Sequence, residues 1–157
     1  MKKTIKIIMV MALAVLFVVG CSRDRETTTI LEDSHTGTGI SGRMVHTLVA
    51  TGDTIDTWET ITHYDLEEYL EYYGYETTED VREWFAGSGP DQSTVDGMYF
   101  ELVDITDEYI ITRIFFNYSE MSSEDLSMFI QGDVEANYVS LQATIDNIVS
   151  GGSTLVE

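Results

Sequence analysis

Three kinds of side chain in this chain could do chemistry. The first is a single thiol, Cys21, the only cysteine in 157 residues. A lone thiol can act as a nucleophile, a ligand or a point of covalent attachment. The second is a set of three histidines, His35, His46 and His63. Of these, His46 can stand across a hairpin from Glu59 as an acid–base couple, although a pair without a third group is more in keeping with a cross-strand polar contact. The third is a run in which Tyr64, Tyr69, Tyr72, Tyr73 and Tyr75 alternate with Glu67, Glu68, Glu71 and Glu76. Tyrosine offers a stacking face with a polar tip, and carboxylates attract cations. Tyr64, Tyr72, Tyr75, Glu67 and Glu71 are the candidate ligand surface, with Tyr69 and Tyr73 assigned to the core stripe. The acids lack the spacing of an EF-hand loop. There is also no Gly-x-Ser-x-Gly elbow, His-Glu-x-x-His pair or phosphate-cradling glycine loop. No catalytic residue, metal site or cofactor is assigned, and the reading is of a protein that is not an enzyme.

The setting of Cys21 narrows its role. Lys2, Lys3 and Lys6 precede an uncharged run from Ile7 to Val19. A basic start, a short apolar stretch and a small residue at the cut have the form of an export signal. The run is shorter than the roughly 20 apolar residues a spanning helix needs. Its end, Val18-Val19-Gly20-Cys21, resembles the lipobox of bacterial lipoprotein precursors. The resemblance implies a diacylglycerol on the cysteine sulfur, cleavage between Gly20 and Cys21, and further acylation (palmitate among the chains) of the new amino terminus. The partner so implied is the membrane, on its exported face. Ser22 would permit outer-membrane sorting if the cell has two membranes.

Removal of residues 1–20 takes away three lysines and no carboxylate, so the formal charge moves from −20 to −23. The five basic residues left are Arg23, Arg25, Arg43, Arg82 and Arg113, against 28 carboxylates. Such a surface repels nucleic acid and anionic headgroups. The acidity fits either solubility in a salty medium or attraction of cations and a basic partner.

The elements that must position these residues begin after a polar stretch. Ser22 to Gly42, with Thr27-Thr28-Thr29 and His35-Thr36-Gly37-Thr38-Gly39, is poor in large apolar residues and is expected to be a disordered tether. As a coil it would hold the domain on the order of 25 Å from its anchor. The domain then spans 43–157. Arg43 to Ala50 and Ile55 to Thr62 read as a hairpin around Gly52-Asp53. The simplest register places His46 opposite Glu59, puts Met44, Leu48, Ile55 and Ile61 on one face, and turns Trp58 to the other. Asp65 caps a helix that Gly74 stops, and Thr77 or Thr78 caps a second one ending at Gly87. Gly97 to Asp104 and Tyr109 to Tyr118 read as two further strands, the second central. Ser122 or Ser123 caps a helix over Glu124 to Gln131, Ser140 opens a helix stopped by Gly151-Gly152, and Thr154-Leu155-Val156 can add an edge strand. The expectation is a single α+β domain with an antiparallel sheet of two hairpins packed by short helices.

The order of these elements resembles the YehR-like group of small bacterial lipoproteins. The likeness rests on Gly52-Asp53 between two strands, a capped helix before the second hairpin, the Asn117-Tyr118 to Leu126 passage, and a closing helix with a glycine turn. It implies a lipobox, a polar tether and one α+β domain, and brings no catalytic residue. The chain departs from it in lacking lysine after Cys21 and in the Asp65 to Tyr75 stretch, which has the look of an insertion. Two functions follow as expectations. One is a membrane-anchored, non-catalytic interaction module of the cell envelope. The other is a small-ligand or cation-binding lipoprotein that uses the acidic, tyrosine-rich surface.

Overall fold

Threonine, valine and isoleucine dominate residues 41–62, and β-branched side chains favour an extended backbone. The computed structural model describes residues 25–36, 38–87, 95–129 and 138–156. Gly20 and Cys21, with the whole stretch read as an export signal, lie outside the described residues, as does the end of the helix expected over Glu124 to Gln131. The elements run β1 (Glu26–His35), β2 (Ser41–Thr51), β3 (Thr54–Asp65), α1 (Leu66–Tyr73), α2 (Thr78–Gly87), β4 (Met98–Ile105), β5 (Tyr109–Asn117), α3 (Ser123–Ser127), α4 (Leu141–Ser150) and β6 (Thr154–Leu155). The six strands form one antiparallel sheet in the order β4-β5-β3-β2-β1-β6. The α+β expectation holds, with both hairpins present and β5 inside the sheet.

One expectation is corrected outright. Residues 26–35 are not tether but strand β1, paired with β2 from Glu26↔Thr51 to His35↔Ser41 and with β6 at Leu31↔Leu155. Low hydrophobicity misleads here because a strand covered on one face needs few apolar side chains. Leu31 alone is completely buried, within the apolar cluster of Leu48, Ala50 and Ile55. Burying such a side chain contributes roughly 1.5–3 kcal/mol, and the ladder to β2 satisfies the backbone. The ordered domain therefore starts at the beginning of β1, not at residue 43.

A second correction concerns register. Gly52 takes φ +66° with no positive φ at Asp53, the pattern of a two-residue II′ turn. Ala50 then pairs with Ile55 but Val49 with Thr57, so Asp56 is a bulged extra residue. Every pair beyond it slips by one. His46 faces Thr60 instead of Glu59, Trp58 joins the covered face, and Ile61 moves to the other side.

The helices all pack on one face of the sheet. Leu126 and Phe129, with Leu141, Ile145 and Ile148 of α4, cover the cluster around Leu31, Leu48, Ala50, Ile55, Tyr118 and Val139. Leu66, Tyr69 and Leu70 of α1, with Val81 and Phe85 of α2, cover a second cluster around Ile40 and Ile110. His46, Thr60, Thr62 and Thr112 are buried on that same face and form a polar belt between the two clusters. The opposite face carries Arg43, Val45, Thr47, Glu59, Ile61, Arg113 and Phe115, the mixed lining usual for a solvated antiparallel face.

The caps read from the sequence are in place. Asp65 Oδ1 accepts from Glu68 N at 3.0 Å, and Gly74 closes α1 at φ +72°. Thr77 and Asp80 cap α2 reciprocally, Asp80 N to Thr77 Oγ1 at 3.3 Å and Thr77 N to Asp80 Oδ2 at 2.7 Å. Ser122 and Ser140 cap α3 and α4. Helix α3 is one turn and a half, shorter than its sequence pattern suggested.

Candidate functional site

Strands β2, β3 and β5 meet α1 at one end of the sheet, and two clefts open there on either side of Ser41. The first, of about 440 Å³, is lined by Ser41, Gly42, Arg43, His63, Asp65 and Tyr109. The second, of about 390 Å³, is lined by Gly39, Ile40, Ser41, Glu68, Glu71 and Tyr72. Strand pairing brings the first set together, since Gly42 faces Tyr64, Arg43 faces His63, and Asp65 faces Tyr109. The cap of α1 supplies the second, because Asp65 ends β3 and starts the helix that carries Glu68, Glu71 and Tyr72.

The wall between the clefts is fixed by hydrogen bonds. Glu68 accepts from Ser41 N at 2.5 Å through Oε2 and from Ser41 Oγ at 3.1 Å through Oε1. Gly42 has to be glycine, because a Cβ there would lie 2.1 Å from the His63 carbonyl oxygen. Arg43 forms a two-pronged pair with Glu32, at 2.7 and 2.9 Å. That contact holds the Glu32 carboxyl below its ordinary range and raises the guanidinium further. Exposed pairs of this kind contribute little to stability because solvent screens them, but this one offsets the positive charge bordering the first cleft. The carboxylates of Asp65, Glu68 and Glu71 therefore set the local potential.

The five tyrosines make one aromatic cluster with Tyr69 at its hub. Tyr69 lies 5.2 Å from Tyr64, 4.6 Å from Tyr73 and 6.5 Å from Tyr75, ring centre to ring centre. Tyr72 stands edge-on to Tyr73 at 4.9 Å. Burial raises the pKa of the Tyr64, Tyr69 and Tyr73 hydroxyls, with neighbouring phenols adding to it, so all three stay protonated.

The candidate surface divides accordingly. Tyr72 and Glu71 line the second cleft together. Tyr64 and Tyr75 pack into the apolar cluster around Tyr69, and Glu67 points to solvent. Tyr69 is core as expected, whereas Tyr73 is 47 % exposed and extends the aromatic surface beside Tyr72. Sequence reasoning missed Ser41, Gly42, Arg43, His63 and Tyr109 as cleft residues. They lie on three strands, and only the sheet register joins them.

The His46/Glu59 couple does not form. Glu59 lies on the solvated face and accepts from Arg113. His46 is buried on the other face, where Trp58 Nε1 donates to its Nδ1 at 3.3 Å and Thr60 Oγ1 lies 2.9 Å from the same nitrogen. Indole nitrogen can only donate, so the neutral ring keeps its proton on Nε2. Burial lowers the His46 pKa, with Asp33 pulling weakly the other way. Among the described residues, no group of three or more His, Cys, Asp or Glu side chains stands ready for a metal ion.

No family model matches the chain, and no curated protein matches it. Two solved structures share its fold. The solution structure of the Escherichia coli YehR protein superposes with a TM-score of 0.62 at 15 % identity, over 85 % of this chain and 92 % of that one. A solution structure of a protein from Streptococcus pneumoniae TIGR4 gives a TM-score of 0.56 at 14 % identity, over 85 % and 87 % of the two chains. At such identity the likeness is one of fold.

Proposed function

We propose that this chain is an exported lipoprotein, anchored through Cys21, that serves as a non-catalytic interaction module of the cell envelope and takes a basic partner at the paired clefts. The observation that carries the reading is the lining of those clefts. Asp65, Glu68 and Glu71 border them beside two exposed rings, Tyr72 and Tyr109, which are 61 % and 39 % exposed. An ammonium or guanidinium group gains from carboxylates and from the face of an aromatic ring together, by about 0.5–1 kcal/mol for each exposed ring contact. The charge of −20 over the whole chain steers such a partner in and anionic polymers away.

Binding is tested with a labelled lysine- and arginine-containing peptide, titrated by fluorescence anisotropy against an acidic peptide of the same length. The basic peptide binds, binding weakens as salt rises, and Tyr72→Ala or Glu71→Gln reduces affinity severalfold without lowering the melting temperature. Equal affinity in those variants removes the clefts from the reading. The anchor is tested separately, by the mass of the mature amino terminus and by loss of membrane association in Cys21→Ser. A melting temperature raised by millimolar Ca²⁺ would favour a bound metal cation over a basic partner.

A further inference from the structure

The start of β1 fixes which way the domain stands. Arg25 is the first described residue, only four positions after Cys21, and four residues reach about 14 Å at full extension. Strand β1 begins directly afterwards, with Glu26 paired to Thr51 and the Arg25 carbonyl accepting from Gly52 N at 3.5 Å. The end of the sheet holding the Gly52-Asp53 turn is thereby the end next to Cys21. The paired clefts lie at the opposite end, where β2 begins at Ser41 and β3 finishes at Asp65. Strands of eleven and twelve residues separate the two ends, which is about 35 Å at roughly 3.3 Å per residue.

We infer that the turn end of the sheet sits against the bilayer headgroups and the clefts face away from the membrane, a deepening that rests on lipid attachment at Cys21. A coil of about 20 residues would let the domain turn freely, whereas a four-residue link confines its near end to the headgroup zone. Both ends carry carboxylates, Asp53 and Asp56 at the turn end and Asp65, Glu67, Glu68 and Glu71 at the far end, so it is the short link and not charge that sets the orientation. The partner is thus met about 35 Å or more from the leaflet, a distance that suits a component of another envelope layer.

The test uses the full lipidated chain in phosphatidylcholine–phosphatidylglycerol vesicles that carry a headgroup-level quencher. Cys21 is the only native cysteine and its sulfur is occupied by lipid, so a fluorophore goes to Thr51→Cys at the turn end or Glu67→Cys at the cleft end. The Thr51 label is quenched severalfold more than the Glu67 label. Inserting a 20-residue Gly/Ser segment after Ser22 brings the two signals close to equality. Equal quenching without the insertion overturns the inference, and so does a difference that survives it. Lipid attachment is read independently, from amino-terminal mass and vesicle flotation. Protein that carries lipid and floats but shows no difference refutes the orientation alone, whereas protein without lipid refutes the anchor and the orientation with it.

Discussion

The two ends of the sheet handle their polar groups in opposite ways. At the turn end several polar groups are closed internally, although the buried Tyr118 Oη has no hydrogen-bond partner there. Asp53 accepts from Ser140 Oγ at 2.8 Å and Gln142 N at 2.9 Å, its carbonyl accepts from Leu141 N at 2.8 Å, and Ile55 N donates to the Val139 carbonyl at 2.9 Å. One aspartate thus ties the hairpin to the start of α4, 87 residues away from Ser140. At the cleft end one carboxylate is closed at its tip while others are left open. Glu68 is held by Ser41 and Tyr109 leans edge-on against His63, while Tyr72 and Glu71 project into open space. On the proposed reading the closed end would serve stability and attachment, and the open groups beside the fixed Ser41–Glu68 wall would serve recognition, since a pre-formed wall has little ordering entropy left to lose when a partner arrives.

Substitutions should separate the two ends, and the largest effect should come from the core beside the turn. Leu48 is completely buried there, so Leu48→Ala should cost about 3 kcal/mol in denaturant unfolding and leave the affinity of the folded protein for a basic peptide unchanged. Gly42→Ala should come next. Its Cβ cannot coexist with the His63 carbonyl, so β2 and β3 must shift, at about 2 kcal/mol, and peptide binding should fall with stability. A Gly42→Ala protein that lost stability but kept full affinity would argue that the clefts are not the binding surface. Asp53→Ala should cost about 1 kcal/mol by releasing the hairpin from α4, again with no effect at the clefts.

Acid should act through the belt between the clusters. The folded pKa of His46 is depressed below its ordinary value of 6.5, so on acidification the unfolded chain takes up the proton first. Stability therefore falls as pH drops below about 6.5 and levels off once the folded ring also protonates. His46→Gln should flatten that limb in a series of melts. The further loss at lower pH, where the depressed carboxyls of Glu32 and Asp80 protonate, should persist in the variant. An unchanged limb in His46→Gln would assign the acid sensitivity to carboxyls alone. The smallest change should be that of Tyr72→Ala, within about 0.5 kcal/mol, as expected for an exposed side chain outside the core.

Local signals were legible wherever a neighbour in sequence is also the partner in space. Asp65, Ser122 and Ser140 cap the helices they precede, Gly74 stops α1, and Gly52 turns the hairpin, since each acts within three or four residues. Strand β1 was not legible. Its threonines and acids satisfy a disorder criterion, and only β2 on one side and β6 from the far end of the chain make it a strand. The His46/Glu59 pairing failed for a related reason, because one extra residue at Asp56 reverses every facing relation along the hairpin. That Tyr72 and Glu71 stand together was legible, since both lie on one short helix, while the nearness of Tyr109 and His63 was not, since it is a matter of register.

By itself, then, the sequence determined the α+β class, the helix caps, the strongly acidic surface, and the lipobox-like setting of Cys21. These follow from composition and from interactions spanning a few residues. Tertiary structure alone decided that residues 26–35 belong to the sheet, that Ser41 divides two clefts, and that the clefts and the start of β1 stand at opposite ends. Each of those depends on pairings between strands far apart in the chain, where a slip of a single residue exchanges the two faces.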